Sequence, residues 1–158
     1  MTVYISMRNI LLFSLTFLSI LGGCSPNSKP STKPEENNTQ EEEKKREYSE
    51  ISQLKILWKD IFNQQENIYY VYLYSLYCSH CNAIKNFMIE SALSGNKKIY
   101  FIQASGEHVI NEEKAKETSV DSLEDLAIRG YPTLLELKNK IVTKNVAGET
   151  AIKSVVNS

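Results

Sequence analysis

The stretch that decides the fold is YSLYCSHCNAIK, residues 74 to 85, which carries two cysteines, Cys78 and Cys81, separated by two residues. It joins the apolar run IYYVYLYSL, at 68 to 76, to a pattern of apolar residues at helical spacing that ends at Gly95. The run is rich in β-branched and aromatic residues and is apolar on both alternating faces, which predicts a central strand that is covered on both sides. The two cysteines therefore lie where a strand ends and a helix begins.

Outward from this junction, helical and extended patterns alternate. Strands separated by helices pair in parallel, and a tight hairpin about Asn139 and Lys140 adds an antiparallel edge, so we expect an α/β domain with a mixed central sheet flanked by helices. The predicted segments are a helix at 51 to about 64, a strand at 68 to 76, a helix that ends at 93, a strand at 98 to 103, a short helix at 120 to 128, strands at 132 to 138 and 140 to 146, and, after Gly148, a helix at 149 to 156.

Residues 1 to 23 are predicted to be a targeting segment. Arg8 precedes the run ILLFSLTFLSIL, at 10 to 21, which matches the apolar region of a signal peptide and is shorter than the roughly 20 residues that span a bilayer as a helix. The run ends in LGGC, at 21 to 24, and this ending resembles the bacterial lipoprotein signal. The resemblance implies that Cys24 is acylated and anchors the chain to the extracytoplasmic side of the cell membrane. An uncleaved hydrophobic anchor is the alternative.

After the acylated cysteine, residues 24 to 47 are predicted to form a disordered tether, and the folded domain is predicted to span 48 to 158. The tether contains Pro26, Pro30 and Pro34 and no aliphatic or aromatic side chain, so it cannot bury enough apolar area to offset its ordering entropy. The whole chain has 18 basic and 19 acidic residues and a net charge of −1. No basic excess therefore indicates a nucleic-acid partner.

The position of the cysteine pair favours redox chemistry. A thiolate at the first turn of a helix is stabilised by N–H groups that have no partner within the helix, so Cys78 is the candidate nucleophile and Cys81 the more buried resolving thiol. Ser79 and His80 lie between the two cysteines and are the candidate tuning residues. An imidazolium at His80 would stabilise the Cys78 thiolate, and a better-stabilised thiolate makes the disulfide easier to reduce. With Cys24 given to lipid, this pair accounts for every remaining cysteine.

Two other roles for the cysteine pair are a zinc site and a structural disulfide. A zinc site needs about four ligands. The domain offers only the two cysteines with His80, which is poorly placed between them, and His108, which the polar segment EHVINEE predicts to be exposed, so we expect no metal. A purely structural disulfide over so short a loop would remove little entropy from the unfolded chain.

Two motifs together resemble the thioredoxin family, namely the CxxC after a buried strand and IRGYPTLLELKN at 128 to 139. In that family the second motif carries a cis-proline beside the active disulfide, so the resemblance implies a thioredoxin-like fold and a cis peptide bond between Tyr131 and Pro132. The family's closing glycine corresponds to Gly148. The substrate groove that the resemblance implies is lined by Tyr77, Tyr131, Pro132 and Thr133.

The departures from the family pattern include two tyrosines next to or shortly before the first cysteine. Tyr77 stands where the family usually has tryptophan before the first cysteine. Tyr72 stands six residues before that cysteine, where thioredoxins carry a buried acid. Proton transfer to Cys81 is therefore expected to pass through water, Tyr72 or another group.

The expected function is that of an extracytoplasmic, membrane-anchored thiol–disulfide oxidoreductase that exchanges disulfides with protein thiols through the Cys78–Cys81 pair. No organic cofactor is needed, because the chemistry is dithiol exchange. A redox partner, either a membrane electron carrier or small thiols, must recycle the pair. Two other classes stay open: a non-catalytic thioredoxin-fold accessory module that binds a secreted or membrane client, and a protein that delivers metal or haem.

Overall fold

The computed structural model describes residues 44 to 158, so the predicted signal peptide, Cys24 and most of the predicted tether lie outside the described residues. The helices and strands of this part alternate, with short 3₁₀ helices at the start. In chain order they are 3₁₀ helices at Tyr48–Leu54 and Trp58–Asn63, strand β1 at Ile68–Tyr74, helix α1 at Ser79–Leu93, strand β2 at Ile99–Gln103, a 3₁₀ turn at Lys114–Lys116, strands β3 at Thr133–Lys138 and β4 at Ile141–Ala147, and helix α2 at Glu149–Asn157.

The four strands form one mixed sheet in the order β2-β1-β3-β4. Strand β1 pairs in parallel with β2 and antiparallel with β3, and β3 pairs antiparallel with β4. The β3–β4 hairpin turns at Asn139 and Lys140, whose φ angles of 50° and 67° are those of a two-residue turn that matches the twist of the strands. The predicted sheet, with helices on its flank, is confirmed.

Strand β1 is covered on both faces, as its sequence predicts. Tyr70, Tyr72 and Tyr74 point to the side where α1 and α2 pack. The alternate residues, among them Tyr69 and Val71, point into a second core that is closed by Trp58 and by buried residues of segment 120 to 128. Because the side chains of a strand alternate between the two faces, one nearly continuous apolar run supplies both cores.

The predicted helix at 51 to 64 is wrong, because two 3₁₀ helices occupy this part of the chain with an extended break between them. In the break, Lys55 forms a parallel bridge with Phe101, and the N–H of Ile56 donates to the Phe101 carbonyl at 3.0 Å. The main chain here pairs with the open side of β2 instead of continuing the helix. The apolar spacing of an α-helix also fits two short helical turns that bury Ile51 and Ile61 on either side of the break.

The predicted helix at 120 to 128 is also wrong, since this segment forms turns and isolated bridges. Val120 pairs antiparallel with Val142 of β4, and Ile128 pairs in parallel with Ile110. The Asn145 side chain donates to the Ala127 carbonyl at 2.8 Å. Pairing with the open side of β4 therefore replaces the local hydrogen bonds of a helix.

The chain reaches the domain along α1. The Arg46 N–H donates to the Asn86 side chain at 3.0 Å, and the Arg46 guanidinium contacts Glu50 at 2.9 Å and Glu90 at 3.2 Å. Glu47 accepts from Lys85 at 3.1 Å. Residues 46 and 47 are therefore attached to the side of α1. Within residues 44 to 158, no helix combines the length and the apolar character needed to cross a membrane.

Candidate active site

Cys78 is the N-cap of α1, directly after the turn that follows β1. Ser75 shapes this turn, because its hydroxyl accepts the N–H of Tyr77 at 3.3 Å and its carbonyl accepts the N–H of Cys78, also at 3.3 Å. The Cys78 sulfur then accepts the N–H of Cys81 at 3.3 Å. A sulfur in this place takes up one of the N–H groups that the first helical turn leaves without a partner, and the electrostatic field there favours negative charge.

Cys81 lies one helical turn further on and is fully buried. Its sulfur accepts the N–H of Ser75 at 3.5 Å, and both cysteines are free thiols in the structure. Burial first, and the hydrogen bond with Cys78 second, raise the pKa of the Cys81 thiol far above its ordinary value. Cys78 is half-buried, so it is the thiol that a substrate can reach, whereas Cys81 stays protonated and shielded at neutral pH.

The segment that opens β3 meets the cysteines from the other side. The Tyr131–Pro132 peptide bond is cis, as predicted. The Tyr131 carbonyl accepts a hydrogen bond from the Cys78 thiol at 3.4 Å, across 53 residues of sequence. Pro132 and Thr133 are buried, and the Thr133 hydroxyl donates to the Gly130 carbonyl at 2.7 Å. Tyr131 is therefore the member of the predicted groove that contacts Cys78.

The other predicted site residues face solvent. Tyr77 is 98% exposed, and Leu76 beside it is 48% exposed, so an apolar surface adjoins Cys78. Ser79 and His80 are exposed on the first turn of α1. Within residues 44 to 158, His80 makes no hydrogen bond to either sulfur. Its tuning role stays a prediction.

Four buried tyrosines lie in the same core as Cys81, and three of them concern the site: Tyr48, Tyr74, and Tyr72, which stands where the resemblance implies an acid. The rings of Tyr48 and Tyr74 stack at 3.9 Å between centroids, and the three hydroxyls are buried with no hydrogen-bond partner among the described residues. Burial raises the pKa of all three phenols, which are therefore neutral. The one fully buried carboxylate in the described part of the chain, Glu136, lies further along β3.

His108 belongs to the site, and the prediction that it is exposed is wrong. It is half-buried, its Nδ1 is hydrogen-bonded to the Tyr131 hydroxyl, and its ring lies 4.6 Å from that of Trp58 between centroids. Burial lowers the pKa of the imidazole, and the neighbouring Glu107 opposes that shift. The sequence offered one weak signal, the apolar pair at 109 and 110 inside an otherwise polar segment.

No metal centre is formed by the residues that the structure describes. Between residues 44 and 158, His, Cys, Asp and Glu side chains nowhere come together in a group of three or more that could hold an ion. Among the described residues, His108 is hydrogen-bonded to Tyr131 and to neither cysteine sulfur.

No family model matches the sequence, and no curated protein matches it. Among solved structures, the chain is similar to thioredoxin f2 of Chlamydomonas reinhardtii, with 17% identity, coverage of 66% of this chain and 91% of that chain, and a TM-score of 0.48. It is also similar to oxidized mitochondrial thioredoxin 3 of Saccharomyces cerevisiae, with 17% identity, coverage of 69% and 97%, and a TM-score of 0.47. For a thioredoxin of Plasmodium falciparum the identity is 22%, the coverage 63% and 88%, and the TM-score 0.41. At these identities nothing about activity follows.

Topology decides the fold class. A parallel β1–β2 pair flanks a helix that begins at the cysteine pair, and an antiparallel β3 enters beside that pair through a cis-proline. The fold is thioredoxin-like. In this thioredoxin-like domain the long irregular segment between β2 and β3 supplies His108, and the 3₁₀ helix at Trp58–Asn63 supplies the ring that covers it.

Proposed function

We propose that the protein is a thiol–disulfide oxidoreductase that acts on protein thiols and disulfides through Cys78 and Cys81. One observation carries the proposal: the reachable thiol of Cys78 caps a helix, and the residue that carries the second, fully buried thiol, Cys81, donates its main-chain N–H to the Cys78 sulfur. A structural disulfide would not need one reachable and one shielded sulfur. An exchange reaction needs both, because the first must meet the substrate and the second must wait for the mixed disulfide.

The reaction follows from this arrangement. Cys78 gives up its proton, and its thiolate attacks one sulfur of a substrate disulfide, so that a bond forms between Cys78 and the substrate while the substrate disulfide breaks. The other substrate sulfur, which was not attacked, leaves as a thiolate and takes up a proton. Cys81 then gives up its proton and attacks the Cys78 sulfur, which releases the second substrate thiol. The substrate gains two electrons and two protons, and the protein becomes the Cys78–Cys81 disulfide; the reverse sequence oxidises a substrate dithiol.

Substrate binding is proposed to use the main chain of Tyr131 and the apolar surface of Leu76 and Tyr77. The Tyr131 carbonyl already lies 3.4 Å from the Cys78 sulfur, so an extended peptide that pairs with this residue brings its own sulfur to the nucleophile. Leu76 and Tyr77, the two residues before Cys78 in the sequence, offer exposed apolar surface next to it. No organic cofactor enters the proposal.

We further propose that the domain works outside the cytoplasm, anchored by lipid on Cys24. The support is the sequence LGGC after an apolar run, together with the oxidising surroundings in which a thiol pair cycles through a disulfide. A recycling partner, small thiols or a membrane electron carrier, resets the pair after each exchange.

The first experiment is a trapping series with three variants of the full chain. Cys81→Ser retains the nucleophile and is expected to accumulate a mixed disulfide with a client, which a reductant releases. Cys78→Ser and the double variant Cys78→Ser/Cys81→Ser are expected to trap no client. A double variant that still supports every cellular role of the protein would show instead that the domain is an accessory binding module, and metal bound by the reduced protein in elemental analysis would favour delivery of a metal.

The direction of exchange is measured by equilibrating the protein with glutathione redox buffers and trapping free thiols. A potential of about −120 to −180 mV would match proteins that oxidise or isomerise, and one near about −270 mV would match reductants. Failure to form the Cys78–Cys81 disulfide in any buffer would contradict the proposed function.

A further inference from the structure

His108 is held firmly against the active site although it is far from the cysteines in sequence. Its Nδ1 is hydrogen-bonded to the Tyr131 hydroxyl, and the Trp58 ring lies 4.6 Å from its own. The main chain next to it is also fixed, because the N–H of Ile128 donates to the Val109 carbonyl at 2.9 Å. The contact between His108 and Tyr131 is therefore part of a packed structure and not a chance approach of two surface side chains.

Tyr131 connects this histidine to the nucleophile. One end of the residue, its hydroxyl, meets His108, and the other end, its carbonyl, accepts from the Cys78 thiol at 3.4 Å. The Tyr131 side chain is half-buried and packs against both cores of the domain. Loss of the contact at the hydroxyl would free the tyrosine to move, and its main chain faces both Cys78 and the proposed path of the substrate.

The neutral imidazole is the form that fits this environment. The Nε2 atom of His108 is buried and has no hydrogen-bond partner among the described residues. A second ring proton would leave a charged donor without a partner, which is costly away from water. The titratable groups that face the ring are the Tyr131 phenol, from the segment before β3, and the Glu107 carboxylate, from its own segment.

We propose that His108 is a positioning residue for extended substrates: by holding the Tyr131 hydroxyl, it keeps the Tyr131 main chain aligned with Cys78. The inference rests on the proposed function. It predicts a division between substrates, because a peptide that pairs with the Tyr131 main chain needs the alignment, and a small disulfide that meets only the sulfur does not.

The test compares two substrates across a set of variants of the full chain. One substrate is an extended peptide with an internal disulfide and several residues on either side of it, and the other is hydroxyethyl disulfide. His108→Leu removes the hydrogen bond, Tyr131→Phe removes its other partner, and His108→Asn restores a polar atom close to the place of Nδ1. Glu112→Leu makes an apolar change at an exposed position of the same segment and serves as the control.

We expect His108→Leu to lower kcat/KM for the peptide by about fivefold to tenfold, the effect of one lost hydrogen bond, and to leave the rate with hydroxyethyl disulfide within about twofold. Tyr131→Phe should lower the peptide rate by a similar factor, and the double variant His108→Leu/Tyr131→Phe should be no worse with the peptide than either single one, because both remove the same bond. His108→Asn should recover most of the loss, and the control should match the natural protein.

Three results would overturn the inference while leaving the proposed function in place: an unchanged peptide rate in His108→Leu, an equal loss with both substrates, or losses that add in the double variant. If His108→Leu does not fold, Tyr131→Phe and His108→Asn carry the same comparison. A natural protein that exchanges with neither substrate would overturn the proposed function itself, and the inference with it.

Discussion

Glu136 offers the sharpest test of the energetics, because it is a carboxylate at 2% exposure inside the sheet. Its oxygens accept from Lys144 at 2.8 Å, from the Thr143 hydroxyl at 3.0 Å and from Lys138 at 3.1 Å. Burial alone would raise the pKa of this carboxyl, but the hydrogen bonds from Lys144, Lys138 and Thr143 outweigh it and lower the pKa from 4.5 to about 2. The charged form of Glu136 therefore stabilises the folded state.

The size and the pH range of this effect follow from linkage. A difference of about 2.5 pKa units between the unfolded and folded states corresponds to about 3 kcal/mol of folding free energy. Because the folded pKa is the lower one, the contribution is complete above the unfolded pKa and is lost as the pH falls from about 4.5 towards about 2, with about 2 kcal/mol gone by about pH 3.

The variant Glu136→Gln keeps the shape of the side chain and removes its charge. In urea unfolding of the reduced protein at pH 7, we expect it to lower the free energy of unfolding by about 3 kcal/mol, and at about pH 3 we expect the gap to shrink to about 1 kcal/mol. Glu149→Gln is the matched control, since Glu149 also contacts a lysine, Lys153 at 2.7 Å, but that pair is exposed on α2. The control should cost less than about 0.5 kcal/mol. Equal stability of Glu136→Gln and the natural protein at pH 7, or a gap that does not change with pH, would refute the reasoning.

Further predictions concern backbone conformation, buried hydroxyls and pH. Gly148 has φ 88° and ψ 154°, a backbone region nearly restricted to glycine. Gly148→Ala should therefore lower the thermal unfolding midpoint and reduce the free energy of unfolding by about 1–3 kcal/mol. Gly106→Ala, at a glycine without a positive φ of this kind, should reduce it by less than about 0.5 kcal/mol. The Tyr69 hydroxyl donates to the buried Ile61 carbonyl at 2.7 Å, so Tyr69→Phe should lower the free energy of unfolding in urea by about 1 kcal/mol. The buried Tyr74 hydroxyl has no partner among the described residues, so Tyr74→Phe should leave the stability unchanged or raise it. Burial lowers the pKa of His108, so the imidazole should stay neutral down to about pH 6.5. The ratio of the peptide rate to the small-disulfide rate should therefore stay constant from about pH 8 to about pH 6.5 and fall only at lower pH. A ratio that falls at higher pH would contradict the neutral imidazole.

The predictions that succeeded rest on short-range chemistry. Residues 68 to 74 are apolar on both alternating faces and, apart from Leu73, β-branched or aromatic; this pattern is typical of a strand buried on both sides, and the structure has β1 there. Asn139 and Lys140 separate two apolar runs by two residues, which is the sequence signal of a tight hairpin. In the structure both residues have the positive φ that such a turn requires. The cis bond at Pro132 followed from the resemblance of a motif to a known family and not from the local residues.

The predictions that failed depend on contacts between distant parts of the chain. Residues 51 to 64 have helical spacing, but nothing within them reveals that Lys55 and Ile56 will pair with β2. Val120 is drawn in the same way to β4. The polar neighbours of His108 predict an exposed side chain, whereas its place beside Tyr131 comes from the path of a long segment that no local pattern specifies. Main-chain hydrogen bonds at the edges of a sheet stabilise these segments more than a weak local preference for helix does. Sequence periodicity does not reveal which segments will form such bonds.

The bridges at the two sides of the sheet have a consequence for how copies of the protein meet. A protein held at a membrane, as we propose, encounters its own copies at high local concentration, and an open strand is a template on which another chain can assemble. The bridge to Phe101 divides the five residues of β2 at their centre, and the bridge to Val142 occupies one end of β4. The bridge to Phe101 leaves two residues of β2 on either side of it, which is too short a stretch for a second sheet to add to. On the longer stretch that remains on β4, the bond from the Asn145 side chain to the Ala127 carbonyl is a further contact with the segment that lies there. We expect crowded copies to remain separate from one another, each free to turn its cysteine pair towards a client.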